Sequence, residues 1–145
     1  MKVVADTGPL VAAANRGDRA HGLAAALVTR LGRDLVVPVP VMVETDQLLR
    51  ARVGAGSARL FLRGLADGEH EVASPSAGLL RRAVEIDARY ADLDLGLADA
   101  FVMAYAERFD VPILTFDFED FRATAPARGH WRLVVDEPRY RESTR

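Results

Sequence analysis

The chain has no cysteine and a single lysine, Lys2, among its 145 residues. Without cysteine there is no disulfide framework, no thiolate nucleophile and no cysteine metal site, so any bound metal must be held by oxygen or imidazole ligands. That favours Mg²⁺ or Mn²⁺ over structural zinc. No apolar run approaches the ~18 residues of a membrane span, and the N-terminus enters a strand pattern at once, so neither a transmembrane helix nor a signal peptide is expected. A cytoplasmic location, with no membrane partner, is the corresponding expectation. Net charge is also scarce: 19 basic residues against 21 acidic leave −2, which predicts neither strong nucleic-acid affinity nor its absence. Arginine makes up the rest of the basic set and suits bidentate phosphate recognition, although codon bias accounts for such a skew equally well.

Half of the residues are hydrophobic and 28% are charged, a balance that supports a folded core and sets the chain apart from disordered sequences. Its length suits one domain, residues 1–145, ending in a polar, flexible tail over 138–145. Lys2 to Ala5 reads as a strand that stops at Asp6-Thr7-Gly8-Pro9, with a helix from about Leu10 and a second from Ala20 to Leu31. Leu35 to Val39 is the next strand. Pro40 opens an amphipathic helix that carries Glu44, and Gly54 and Gly56 close it. A helix over Ser57 to Ala66, a weak strand at Glu71 to Ala73, and a helix capped by Ser74-Pro75-Ser76 and running to about Tyr90 follow. Ala91 to Asp94 is a loop. The helix containing Leu97 to Ala106 leads into a strand over Val111 to Phe116, and Trp131 to Val135 forms a last short strand. Strands alternating with helices predict a three-layer α/β/α sandwich around a mostly parallel sheet of about five strands.

In such sheets the carboxyl ends of the strands form the ligand edge. Asp6 and Asp117 both fall there, directly after strands. Glu44 lies just past a third strand end, and Asp99 near the start of a helix that is otherwise apolar, so all four acids can reach one cleft. Each has a plainer reading: Asp6 as a helix cap, Glu44 and Asp99 as acids favoured by a helix dipole, Asp117 as a turn residue. Asp99 fits its plainer reading worst, because an acid on a buried helix is costly. Carboxylates gathered in a partly dry site repel one another and lose solvation, so they either take up protons or bind a cation. A hard divalent ion there would activate water and offset charge on a phosphoryl oxygen, the chemistry of phosphodiester hydrolysis. Asp46, Asp92, Glu119 and Asp120 read as solvated surface acids. Arg16, Arg19, Arg50 and Arg52 flank the proposed cleft, with surface ion pairing as their default.

A hydrophobic strand ending in Asp6-Thr7, Glu44 in a helix, GLADA around Asp99 and LTFDFEDF around Asp117 together resemble the PIN-domain ribonucleases, and among them the VapC toxins of toxin–antitoxin systems. The resemblance spans essentially the whole chain. It implies that Asp6, Glu44, Asp99 and Asp117 are a catalytic quartet holding Mg²⁺ or Mn²⁺. Asp6 and Asp99 would be direct ligands, with Glu44 and Asp117 as further candidates. Thr7 and Thr115 match supporting hydroxyl positions. Asp94 has no firm place in the quartet and is a candidate for an outer or second-metal role. The resemblance further implies a structured RNA substrate (tRNA or rRNA), a VapB-like antitoxin partner and a homodimer. Two other functions fit parts of the pattern: a non-catalytic acidic groove that binds a basic partner, and a phosphatase with an Asp nucleophile. The second lacks the usual second Asp, because Gly8 stands in its place. The Asp6-Thr7-Gly8 tripeptide also occurs in aspartic proteases, which need two such loops, and here there is one.

Overall fold

The computed structural model describes all 145 residues. Three short runs that are apolar throughout or nearly so, β1 (Val3–Ala5), β2 (Leu35–Pro38) and β4 (Ile113–Leu114), are buried at every position, as strands covered on both faces must be. With β3 (Glu71–Ala73) they form a parallel sheet in the order β3-β2-β1-β4. The helices that flank it are α1 (Thr7–Ala14), α2 (His21–Leu31), α3 (Val39–Arg52), α4 (Ala55–Ala66), α5 (Ala77–Arg89), α6 (Gly96–Phe109), α7 (Phe118–Ala123) and α8 (Glu137–Ser143). This is the expected sandwich. A core cluster of 24 buried residues runs from β1 through α6 to Val135, so the strands and the central helix share one apolar interior. No helix is long and apolar enough to cross a membrane.

The sheet has four strands, against about five expected. The run from Trp131 to Val135 reduces to one parallel bridge, Ile113 to Leu133, with backbone bonds from Ile113 N to Arg132 O and from Val134 N to Ile113 O. Its partner explains this. In β4 only Ile113 turns its N–H and C=O toward that segment; the carbonyls of Pro112 and Leu114 point the other way and accept from Val4 N and Asp6 N.

Residues 138–145, expected as a flexible polar tail, largely fold into α8. Asp136 caps that helix by accepting from Arg139 N, and the Tyr140 ring packs against Phe116 and Phe118 at centroid distances of 4.7 and 5.4 Å. A single aromatic within an otherwise polar helix is enough to dock it. Asp94 takes a left-handed conformation, φ 50°, that ends the turn over Ala91–Leu93, and Gly96 follows at φ 82°. Asp tolerates that region better than most residues, which gives Asp94 a plain role in the chain reversal before α6.

Candidate metal centre

Asp6 is placed by β1, whose register aligns Ala5 with Leu114, and by a bond from its own backbone N to Leu114 O of 2.9 Å. As the residue between β1 and α1, it is the N-cap of that helix, and its Oδ1 accepts from Thr7 N at 2.8 Å. Its Oδ2 accepts from the Thr115 hydroxyl at 2.7 Å. The cap reading and the site reading are therefore both met by one side chain. The Thr115 oxygen also accepts from Asp117 N at 3.0 Å, which links the ends of β1 and β4. On the other side the Thr7 hydroxyl donates to Glu44 Oε2 at 3.1 Å, tying α1 to α3. Both threonines are buried, and each spends its single proton on a carboxylate of the quartet.

Asp6, Glu44, Asp99 and Asp117 line one cavity of about 430 Å³, with Thr7, Gly8, Leu48, Arg52 and Phe116. The sequence brings these four acids together as expected. Asp94 does not line the cavity and is exposed, so the structure gives it no contact with the cluster. Asp120, read from the sequence as a surface acid, belongs to the cluster instead. One carboxylate oxygen from each of Asp99, Asp117 and Asp120 lies within 4.8 Å of the others. The reason is local. Asp117 is the N-cap of α7 and its Oδ1 accepts from Asp120 N at 3.1 Å, so the capping geometry folds the two acids onto one another. An acid three residues after a strand-end Asp was the signal for it.

The electrostatics of the cluster are unfavourable without a cation. Burial first, then the charges of Asp6, Glu44, Asp117 and Asp120, push the Asp99 carboxyl up to about 8. Burial also raises Asp6, against the lowering effect of its bonds from Thr115 and Thr7. Asp120 rises to about 6, through burial and then its hydrogen bond and charge interaction with Asp117. Eight ion pairs form elsewhere in the chain, and none involves Asp6, Glu44, Asp99, Asp117 or Asp120. Five acids thus share a site without an ion pair among them, and Arg52 is the one basic side chain lining the cavity. An all-oxygen donor set of this kind fits a hard divalent ion that keeps some of its water.

The other sequence candidates resolve simply. Arg50 pairs with Asp46 at 2.9 Å, whereas Arg52 lines the acidic cavity and is in no ion pair. The Nδ1 atoms of His21 and His70 contact backbone carbonyls at 3.0 and 2.8 Å, so both serve packing. Trp131 donates to Thr124 Oγ1 at 3.0 Å and meets Phe121 edge-on.

Removing the Thr115 hydroxyl tests the scaffold. Thr115→Val leaves the Asp6 Oδ2 and the Asp117 N–H without their partner in a buried setting, which costs about 1–3 kcal/mol. Loss of such an orienting contact typically costs ~10–100-fold in metal affinity. Calorimetric titration with Mn²⁺ and thermal melts check the two effects, and full metal affinity in this variant would refute the orienting role.

With four strand-end and helix-start acids converging on a parallel sheet, the class is defined: residues 3–126 match the PIN domain family model, and the chain belongs to that family. Within it, the chain is 32% identical over 134 residues to Ribonuclease VapC26 of Mycobacterium tuberculosis, covering 92% of this chain and 99% of the relative. Solved structures agree in fold. The Mycobacterium tuberculosis toxin VapC20, described as cleaving the sarcin-ricin loop, superposes with a TM-score of 0.76 at 24% identity, over 84% of this chain and 95% of that one. VapBC2 of Rickettsia felis, solved bound to a DNA fragment from its promoter, gives 0.61 at 15% identity, over 84% and 92%.

Proposed function

We propose that the chain is an endoribonuclease toxin of the VapC type that hydrolyses phosphodiester bonds in structured RNA, tRNA or rRNA, with Mg²⁺ or Mn²⁺. The observation that carries this reading is the gathering of five carboxylates, none of them in an ion pair, around a cavity whose one basic lining residue is Arg52. The 32% identity to a protein named as a ribonuclease supports the substrate class. Asp6 and Asp99 would hold the ion, with Asp117 and Asp120 near enough to Asp99 to share it and Glu44 beside them. When bound, the ion would supply Lewis-acid stabilisation of a phosphoryl oxygen and activation of a water. The chain's own part is to fix the acids: Thr115 and Thr7 hold Asp6 and Glu44 in single orientations, and Leu48 and Phe116 limit water around them. Residues 1–145 act as one unit, neutralised by a VapB-like antitoxin whose basic side chain would meet the same acids, and the chain pairs as a homodimer.

The test is direct. Purified protein incubated with total RNA should produce new RNA ends with Mg²⁺ or Mn²⁺ and none in excess EDTA. Equal cleavage in EDTA would remove the metal from the reading, and no cleavage with either ion would remove the nuclease.

A further inference from the structure

The acidic cavity does not end at Arg52. It opens into a smaller chamber of about 170 Å³, and the two share Gly8, Leu48, Arg52 and Phe116 as lining. The groove changes character along its length. One end is carboxylate, and the other is walled by the rings of Phe116 and Tyr140, 4.7 Å apart, with Asp18 at its rim. Tyr140 comes from α8, outside the residues 3–126 matched by the family model. Its hydroxyl makes no hydrogen bond within the chain, whose Tyr140 bonds are all backbone. Asp18 uses Oδ1 to accept from Ala20 N at 2.8 Å, and Oδ2 has no partner.

The chamber is well below the ~300 Å³ at which ordinary small-molecule pockets begin, so it suits one planar ring system. Aromatic faces beside a backbone-tracking groove are how single-stranded nucleic acid is commonly held. A carboxylate accepts hydrogen bonds and donates none, so it selects a base edge with donors. Guanine alone presents two adjacent N–H donors on its Watson–Crick edge, and unpaired bases are read along that edge. Arg52, without an ion pair, stands where the two chambers meet and where a phosphate between them would pass.

We propose that the smaller chamber is a base pocket for an unpaired guanine next to the scissile phosphate, packed against the Phe116–Tyr140 ring pair, read by Asp18, with Arg52 on the intervening phosphate. The placement beside a scissile bond rests on the nuclease reading of the adjoining acids; the base preference does not. Asp18 also caps a turn, so Asp18→Asn is the informative change: it keeps the acceptor for Ala20 N and replaces the free oxygen with a donor.

Fluorescence anisotropy with uridine hexamers, each carrying one central G, A or C, measures the preference in the full-length Asp99→Asn protein, which should bind without cutting. The G hexamer should bind about tenfold tighter than the others. Asp18→Asn should erase that preference, and Tyr140→Phe, which keeps the ring that docks α8, should leave it in place. Equal affinity for every hexamer, or no binding at low salt, would leave the chamber to a protein side chain and overturn the assignment. So would an Asp18→Asn protein, folded by its thermal melt, that keeps the preference. Cleavage by the wild type with Mn²⁺ separates the two readings: RNA cut without selective binding defeats the pocket alone, and selective binding with no RNA cut defeats the nuclease alone.

Discussion

Asp99→Asn should abolish RNA cleavage and, in the metal-free protein near neutral pH, raise the melting temperature. The two effects have one cause. In the folded chain the Asp99 carboxyl is pushed from its ordinary 3.8 up to about 8, chiefly by burial and then by four neighbouring acids. A charge placed there is a cost that the fold carries for the site. That rise sets an upper bound of ~6 kcal/mol, and partial solvent exposure reduces the realised value to roughly 1–3 kcal/mol. The amide is close in size, carries no charge and removes the cost. On the metal-dependent reading it would also remove an anionic ligand from an ion worth several kcal/mol of charge stabilisation, so cleavage should fall by about a thousandfold or more. The plainer account of Asp99, an acid in the first turn of α6 favoured by the helix dipole, predicts the opposite sign: Asp99→Asn would lose ~0.3–1 kcal/mol. A thermal melt in EDTA with a parallel RNA assay decides between them. A variant that is less stable and still active would rule out a metal-binding Asp99.

How much of this was legible in the sequence follows from what each feature depends on. Val3–Ala5 and Leu35–Pro38 are apolar runs closed by turn residues, and local pattern alone identified both strands and the positions of Asp6 and Glu44 after them. Asp99 stood out because an acid in an apolar helix is expensive wherever the helix packs. Features that depend on a partner were not legible. The last strand shrank to a bridge because β4 is only two residues long and Ile113 alone turns its N–H and C=O toward that segment. Residues 138–145 looked like a tail because seven of the eight are polar or proline. Their docking depends on one ring, Tyr140, meeting Phe116 and Phe118. Asp120, close to Asp117 in sequence, was read as a surface acid because a charged residue beside Glu119 resembles any solvated helix face, and the capping bond to Asp117 is what brings the two together. Asp94 remained unplaced in the sequence because its role is a backbone conformation, φ 50°, and no side-chain pattern announces it.

The stability of the metal-free protein should fall as pH rises, and divalent metal should restore it most at the alkaline end. The sign follows from proton counting. Between the ordinary carboxyl value of 3.8 and the folded-state values of about 6 for Asp120 and about 8 for Asp99, the folded chain holds protons that the unfolded chain has released. Stability therefore declines with pH across that window and levels off above about 8. Asp6, raised by burial, acts in the same direction. Mn²⁺ or Mg²⁺ held by the deprotonated acids would have to displace those protons, so its apparent affinity should climb over the same range. The gain in melting temperature from a fixed metal concentration should be small near pH 5.5 and larger by several degrees near pH 8, since a stabilisation of ~1 kcal/mol moves a chain of this size by roughly 2–8 °C. Other groups also titrate in this window, and the Asp99→Asn protein serves as the control. Its metal-free stability should depend less on pH, and its response to metal should be weak throughout. A metal-induced shift that is equal at both pH values in the wild type would mean that the ion is not bound by the protonated cluster, and would place it elsewhere on the chain.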